Sequence, residues 1–167
     1  MEKVKSMSET LHCIARRSFL GVIAAVLAGR TIASAAAANP VVTVHKDPNC
    51  GCCSGWADHL RAAGFPVEVH EATDLAPIKQ QHGIPPELAA CHTAVVSGYA
   101  IEGHVPALAI QRLLAERPNA RGLAVPGMPV GSPGMEGGAP QPYTVVLFGP
   151  AGQSPYMRFV GTQPVDT

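Results

Sequence analysis

The chain has 167 residues, with 17 Gly, 16 Pro, 14% charged residues and a formal net charge of zero. That length suits one domain with a real core, and the Gly and Pro content implies long irregular stretches. Aromatic residues make up 5%, too few for a base-stacking platform, which argues against single-stranded nucleic acid as a partner.

The first 38 residues read as a secretory signal peptide. A polar segment carries Lys3, Lys5, Arg16 and Arg17, an apolar run covers Ser18 to Gly29, and small residues from Ala33 to Ala38 offer cleavage sites. The apolar run is shorter than the roughly 20 residues of a membrane helix, so no membrane span is expected after cleavage. Arg16-Arg17-Ser18-Phe19-Leu20 resembles a twin-arginine export signal. Cys13 lies before the apolar run, so it is not a lipid-attachment cysteine. The remainder, 39–167, is expected to be one periplasmic domain. It keeps seven basic and ten acidic residues, a formal charge of −3. Without a basic run it has no footprint for a phosphate backbone, and nucleic acid is not an expected partner.

Val41 to Val44 is a short β-branched strand. Three cysteines follow in Cys50-Gly51-Cys52-Cys53, and then a helix is predicted over Ser54 to Ala63. Trp56, Ala57, Leu60 and Ala63 form its apolar stripe, and Gly64 ends it. Phe65 to Glu71 alternates, with Val67 and Val69 turned inward. Asp74 caps a short helix that runs to about Gln81. Thr93 to Val96 and Tyr99 to Glu102 are strands joined at Ser97-Gly98. Pro106 to Arg117 is a helix whose apolar side carries Leu108, Ile110, Leu113 and Leu114. Residues 119–142 form a Gly/Pro loop, Tyr143 to Phe148 is a strong strand, and Tyr156 to Val160 returns from it. The order β-α-β-α-β-β-α is a thioredoxin-like α/β plan, here with an additional C-terminal β-hairpin.

The cysteines support more than one chemistry. Cys50 and Cys53 have the C-x-x-C spacing of a redox disulfide. At a strand-to-helix turn the helix N-terminus stabilises thiolate, the form that both attacks disulfides and binds metal. A thiol–disulfide oxidoreductase using Cys50 and Cys53 leaves Cys52 and Cys91 unused. Structural zinc prefers two well-spaced pairs, which adjacent Cys52 and Cys53 with a solitary Cys91 do not provide. Cu(I), a soft ion, suits crowded sulfurs, and Met128 and Met135 add thioethers on the Gly/Pro loop. In an oxidising compartment two disulfides are the further alternative, giving a stapled binding module.

Four ordered motifs are similar to those of the CopG-type copper-resistance family: Cys50-Gly51-Cys52-Cys53 after Lys46-Asp47-Pro48, Cys91-His92-Thr93-Ala94, Tyr99 to Pro106, and Gly127 to Met135. The resemblance spans about residues 41–148. It implies a periplasmic thioredoxin-like protein that holds copper, Cu(I) or Cu(II), in a cysteine cluster, associated with copper resistance and copper redox. Its partners would be copper ions and other periplasmic copper-handling proteins. It makes Cys50, Cys52 and Cys53 the metal thiolates, with Cys91 next, either as a ligand or as a disulfide partner. In the thioredoxin-like plan the turn before the third strand carries a cis-proline facing the cysteines. Here Cys91-His92-Thr93 occupies that turn, opening the place for a ligand. His104, Met128 and Met135 complete the candidate metal set, and His92 and His45 rank behind them. His59, His70 and His82 are read as solvated, Trp56 as core, and Asp47-Pro48-Asn49 as the shaper of the turn.

Overall fold

The alternation of Val42 and Val44 with polar neighbours buries both valines on one face of β1 (Val42–Lys46), which lies one strand in from an edge of the sheet. The structure, a computed structural model, describes residues 38–165; the expected signal peptide and export motif lie outside them. Parallel β2 (Val67–Glu71) flanks β1 on one side and antiparallel β3 (His92–Val96) on the other. Between β1 and β2 runs α1 (Gly51–Ala62), which starts three residues earlier than its apolar stripe suggests. Cys50 is therefore its N-cap, and Cys52 and Cys53 lie in its first turn. The helix ends where Gly64 takes φ +86° and Phe65 N–H reaches back to Leu60 O at 3.0 Å, a wrap that a side chain would strain.

The second helix, α2 (Ala76–Gln81), starts where the Asp74 carboxylate accepts the Ala76 N–H at 2.9 Å. A 3-10 turn at Pro86–Leu88 leads into β3. The hairpin to β4 (Tyr99–Glu102) turns at Ser97-Gly98, both with positive φ, as tight hairpins demand. Next comes α3 (Ala107–Glu116), then β5 (Gly122–Ala124) parallel to β4, and β6 (Pro142–Gly149), β7 (Gly152–Val160) and β8 (Gln163–Val165) in an antiparallel run. All eight strands form one sheet in the order β2-β1-β3-β4-β5-β6-β7-β8.

The expected mixed α/β order is present, with several local differences. The C-terminal hairpin gains a third strand, β8, and the 119–142 stretch holds β5, whose Gly122-Leu123-Ala124 carries no β-branched signal. Val69 is exposed, because β2 is the sheet edge. Leu108 faces solvent, while Ala107, Ala109, Ile110 and Leu113 make the buried side of α3.

The two faces of the sheet have different covers. On one, α1 and α3 bury Trp56, Leu60, Ile110 and Leu113 against Val42, Val44, Ile101, Leu123, Val145 and Phe159. The other carries a smaller cluster of Ile84, Leu88, Ala100, Ala124 and Phe148. Among the described residues no helix is long and apolar enough to cross a membrane.

Candidate metal centre

The turn that delivers the cysteines is built by Asp47-Pro48-Asn49, as expected. The Asp47 side chain accepts the Asn49 N–H at 2.8 Å and its carbonyl accepts the Cys50 N–H at 3.0 Å. Lys46, buried, donates to the carbonyls of Asp47 and Pro48 and ties the turn to the end of β1. The chain then enters α1, so Cys50, Cys52 and Cys53 sit at the positive end of its dipole.

Four sulfurs converge there. The Sγ atoms of Cys50, Cys52, Cys53 and Cys91 all lie within 4.8 Å of one another. Cys50 and Cys53 are joined by a disulfide, with their Cα atoms 5.4 Å apart, and Cys52 and Cys91 are free. Cys91 is thus not a disulfide partner in this structure. It stands immediately before β3, facing the α1 pair, with its carbonyl 3.8 Å from the Cys53 sulfur. Cys52 Sγ lies 3.5 Å from Cys50 Sγ.

Two buried imidazoles complete the cluster. Cys91, His92 and His104 also bring their donor atoms within 4.8 Å of one another. His104 Nε2 is 3.1 Å from Cys91 Sγ, and its Nδ1 is 2.7 Å from the Pro133 carbonyl. A carbonyl only accepts, so Nδ1 carries the hydrogen and Nε2 presents its lone pair to the sulfur. Burial holds the His104 pKa below its ordinary value, which favours that neutral form. His92 packs against Trp56, ring centroids 4.3 Å apart, with Nδ1 3.5 Å from Cys91 Sγ. Its Nε2 is buried without a partner, and burial, followed by the charge of His104, pushes its pKa down to about 3. Cys91 is pushed up to about 12, first by burial and then by Cys52. The site therefore sets a Cys91 thiol between two neutral imidazoles.

The methionines belong to the loop that leads from β5 to β6. This loop is held by its own bonds: Gly131 N–H to Met135 O, Met135 N–H to Ser132 O, and Gln141 N–H to Val130 O, all within 2.9 Å. Ser132 and Pro133 are buried, and Met128 is 53% exposed. Met135 follows Gly134, whose Cα approaches Gly55 of α1 so closely that a Cβ on Gly55 would lie 3.1 Å from it. The loop therefore rests on the first turns of α1.

Several contributors lie outside what the motifs reveal. The Pro133 carbonyl that orients His104 has no side-chain signature. Behind Cys91, on the opposite face of the sheet, Glu102 is fully buried, accepts the Ala90 N–H at 2.6 Å and the Thr93 hydroxyl at 2.7 Å, and pairs with Lys79. The cross-strand pairing of Thr93 with Glu102 follows from the hairpin register, but nothing in the sequence ties Lys79 to it. His59 is not simply solvated: its Nε2 accepts the Ala107 N–H at 3.0 Å and caps α3. Trp56 is fully buried, as expected, and donates to Val105 O at 2.8 Å.

Comparison with known proteins places this arrangement. Residues 88–135 match the family described as "Protein of unknown function, DUF411", and no curated protein matches the chain. Two solved structures do. One, titled "Copper resistance protein copG- Form 1", is 45% identical with a TM-score of 0.69, over 74% of this chain and 99% of that one. The second, "Copper resistance protein copG- Form 2", is 46% identical with a TM-score of 0.69, over 72% of this chain and 98% of that one. With such identity across nearly the full length of both solved chains, the protein belongs to the CopG copper-resistance family.

Proposed function

We propose that this protein binds Cu(I) as its cargo at Cys50, Cys52, Cys53 and Cys91, with His104 supplying a nitrogen, and that it serves copper resistance in the periplasm. The observation that carries the reading is the convergence of four sulfurs within 4.8 Å of one another. Crowded thiolates suit a soft ion of low coordination number, and one sulfur can bridge two such ions. A hard divalent ion would seek oxygen donors. His104 fits the role because its far nitrogen is already held by a carbonyl, as in most metal-ligating histidines. Met128 and Met135 are supplementary thioether donors on the loop. Export by the twin-arginine route, which carries folded proteins, would allow the ion to be loaded before transfer, with residues 1–38 removed afterwards.

The Cys50–Cys53 disulfide adds a redox dimension. Closed, it removes two thiolates from the donor set. Two Cu(I) ions, each giving up one electron, reduce it with two protons to two thiols and two Cu(II) ions; the reverse reaction closes it. The same disulfide favours a second reading, a thiol–disulfide oxidoreductase acting on periplasmic proteins.

The test is anaerobic loading of the reduced, mature protein with Cu(I). The Cys50→Ser, Cys52→Ser, Cys53→Ser triple variant should lose most of the bound copper, and equal loading of both proteins would overturn the reading. Turnover in a disulfide-reduction assay that survives Cys52→Ser but not Cys50→Ser would favour the oxidoreductase.

A further inference from the structure

A second group of imidazoles lies on the face of the sheet opposite the sulfur cluster. His45 of β1 and His70 of β2 are direct partners in the parallel register. Their rings stack, with centroids 5.4 Å apart and planes 25° from parallel. His45 is half-buried and His70 exposed, so an ion can reach the pair from solvent. Burial lowers the His45 pKa, and the charges of His70 and then His82 lower it further. His82, which follows α2, is thus part of the same electrostatic neighbourhood. The His45 ring is thereby favoured in its neutral form, with a nitrogen free as a lone-pair donor.

We propose that His45 and His70 form a second metal site, which takes Cu(II). Imidazole suits borderline divalent ions, and among these the affinity of a nitrogen site peaks at Cu(II). A thiolate cluster selects Cu(I), so the two faces of the sheet are matched to the two oxidation states of one metal. Neighbouring positions on adjacent strands hold their side chains side by side, and modest ring rotations from the stacked pose bring one nitrogen of each onto a shared ion. Water fills the remaining positions. The site uses no sulfur, so it stands or falls independently of the thiolate reading.

The experiment uses untagged mature protein in which Cys50, Cys52, Cys53 and Cys91 are all replaced by Ser, titrated with Cu(II) and read by electron paramagnetic resonance. One equivalent should bind with nitrogen superhyperfine structure from imidazole. Adding His45→Ala or His70→Ala should weaken binding by about tenfold or more, whereas adding His104→Ala should leave it unchanged. Zn(II) should bind the same protein more weakly than Cu(II). Undiminished binding after His45→Ala, or loss after His104→Ala instead, would overturn the proposal. Should the cysteine-free protein fail to fold, the wild-type protein with its disulfide closed provides the reading by nuclear magnetic resonance. Substoichiometric Cu(II) should broaden the ring signals of His45 and His70 before those of His59, and uniform broadening would overturn the proposal.

Discussion

Cys91 keeps its proton in the metal-free protein because burial, and then the neighbouring Cys52, push its pKa up to about 12. A thiol that protonated must release its proton to become a metal ligand. Cu(I) affinity should therefore rise as pH increases through the neutral range, since Cys91 stays protonated throughout it and deprotonation is part of binding. Calorimetry in buffers of different ionisation enthalpy should show release of at least one proton per site. Replacing Cys91 with Ser should remove that proton, and a release unchanged in Cys91→Ser would show that this thiol is not engaged. Cys52 separates the two chemistries of the cluster. It is free and lies 3.5 Å from Cys50 Sγ, while Cys50 and Cys53 already satisfy each other. The Cys52→Ser protein should still close the Cys50–Cys53 disulfide, yet lose Cu(I) to a chromophoric chelator at about tenfold lower competitor concentration. Thiol counting and chelator competition on one preparation check both halves.

At the scale of elements, the site depends on how β3 and β4 are held behind it. The segment before β3 has to present Cys91 to α1, and it is fixed by the Ala90 N–H on the Glu102 carboxylate. Glu102 also takes the Thr93 hydroxyl and pairs with Lys79 of α2. Removing one member of a buried charge network leaves the others desolvated and unpaired. Glu102→Ala should lower stability by about 3–5 kcal/mol in urea unfolding, and Glu102→Gln by less, because the amide oxygen still accepts from Ala90 while the amide NH2 can donate to the Thr93 hydroxyl, which then accepts. Equal stability of Glu102→Ala and the wild-type protein would show that the network contributes nothing. This network marks a boundary of what the sequence conveys. The C-x-C-C run and the stripe of Trp56, Ala57 and Leu60 announce a strand-to-helix turn bearing cysteines, because spacing within one helix fixes which side chains share a face. The approach of Cys91 and His104 depends on the pairing of β1 with β3 and of β3 with β4. A resemblance in ordered motifs points to that pairing, but residue periodicity does not. Lys79, from a short helix with no strong pattern, reaches Glu102 through tertiary packing alone.

For the whole molecule, the loop between β5 and β6 brings the C-terminal half of the chain back onto the cysteine helix. Its Gly/Pro composition announces an irregular segment, and its position is set by one close approach that composition does not reveal. Gly134 has φ +84°, and a Cβ there would run into the Cys52 carbonyl and lie 2.8 Å from the Trp56 nitrogen. The next residue back, Pro133, accepts the His104 Nδ1–H that aims Nε2 at Cys91. Backbone packing against α1 and imidazole orientation are therefore coupled through one peptide. Gly134→Ala combines left-handed strain of about 1–2 kcal/mol with a backbone collision, so the loop has to lift. Gly127 provides the control: it has φ +72°, and nothing lies within 4 Å of a Cβ placed there. Both substitutions should reduce stability by the strain term. Only Gly134→Ala should also free the His104 Nδ1–H, seen as faster exchange of that imidazole proton, and weaken Cu(I) binding. If Gly127→Ala and Gly134→Ala lower Cu(I) affinity equally, the loop acts through general stability, and the seating of Gly134 on α1 does not organise the site.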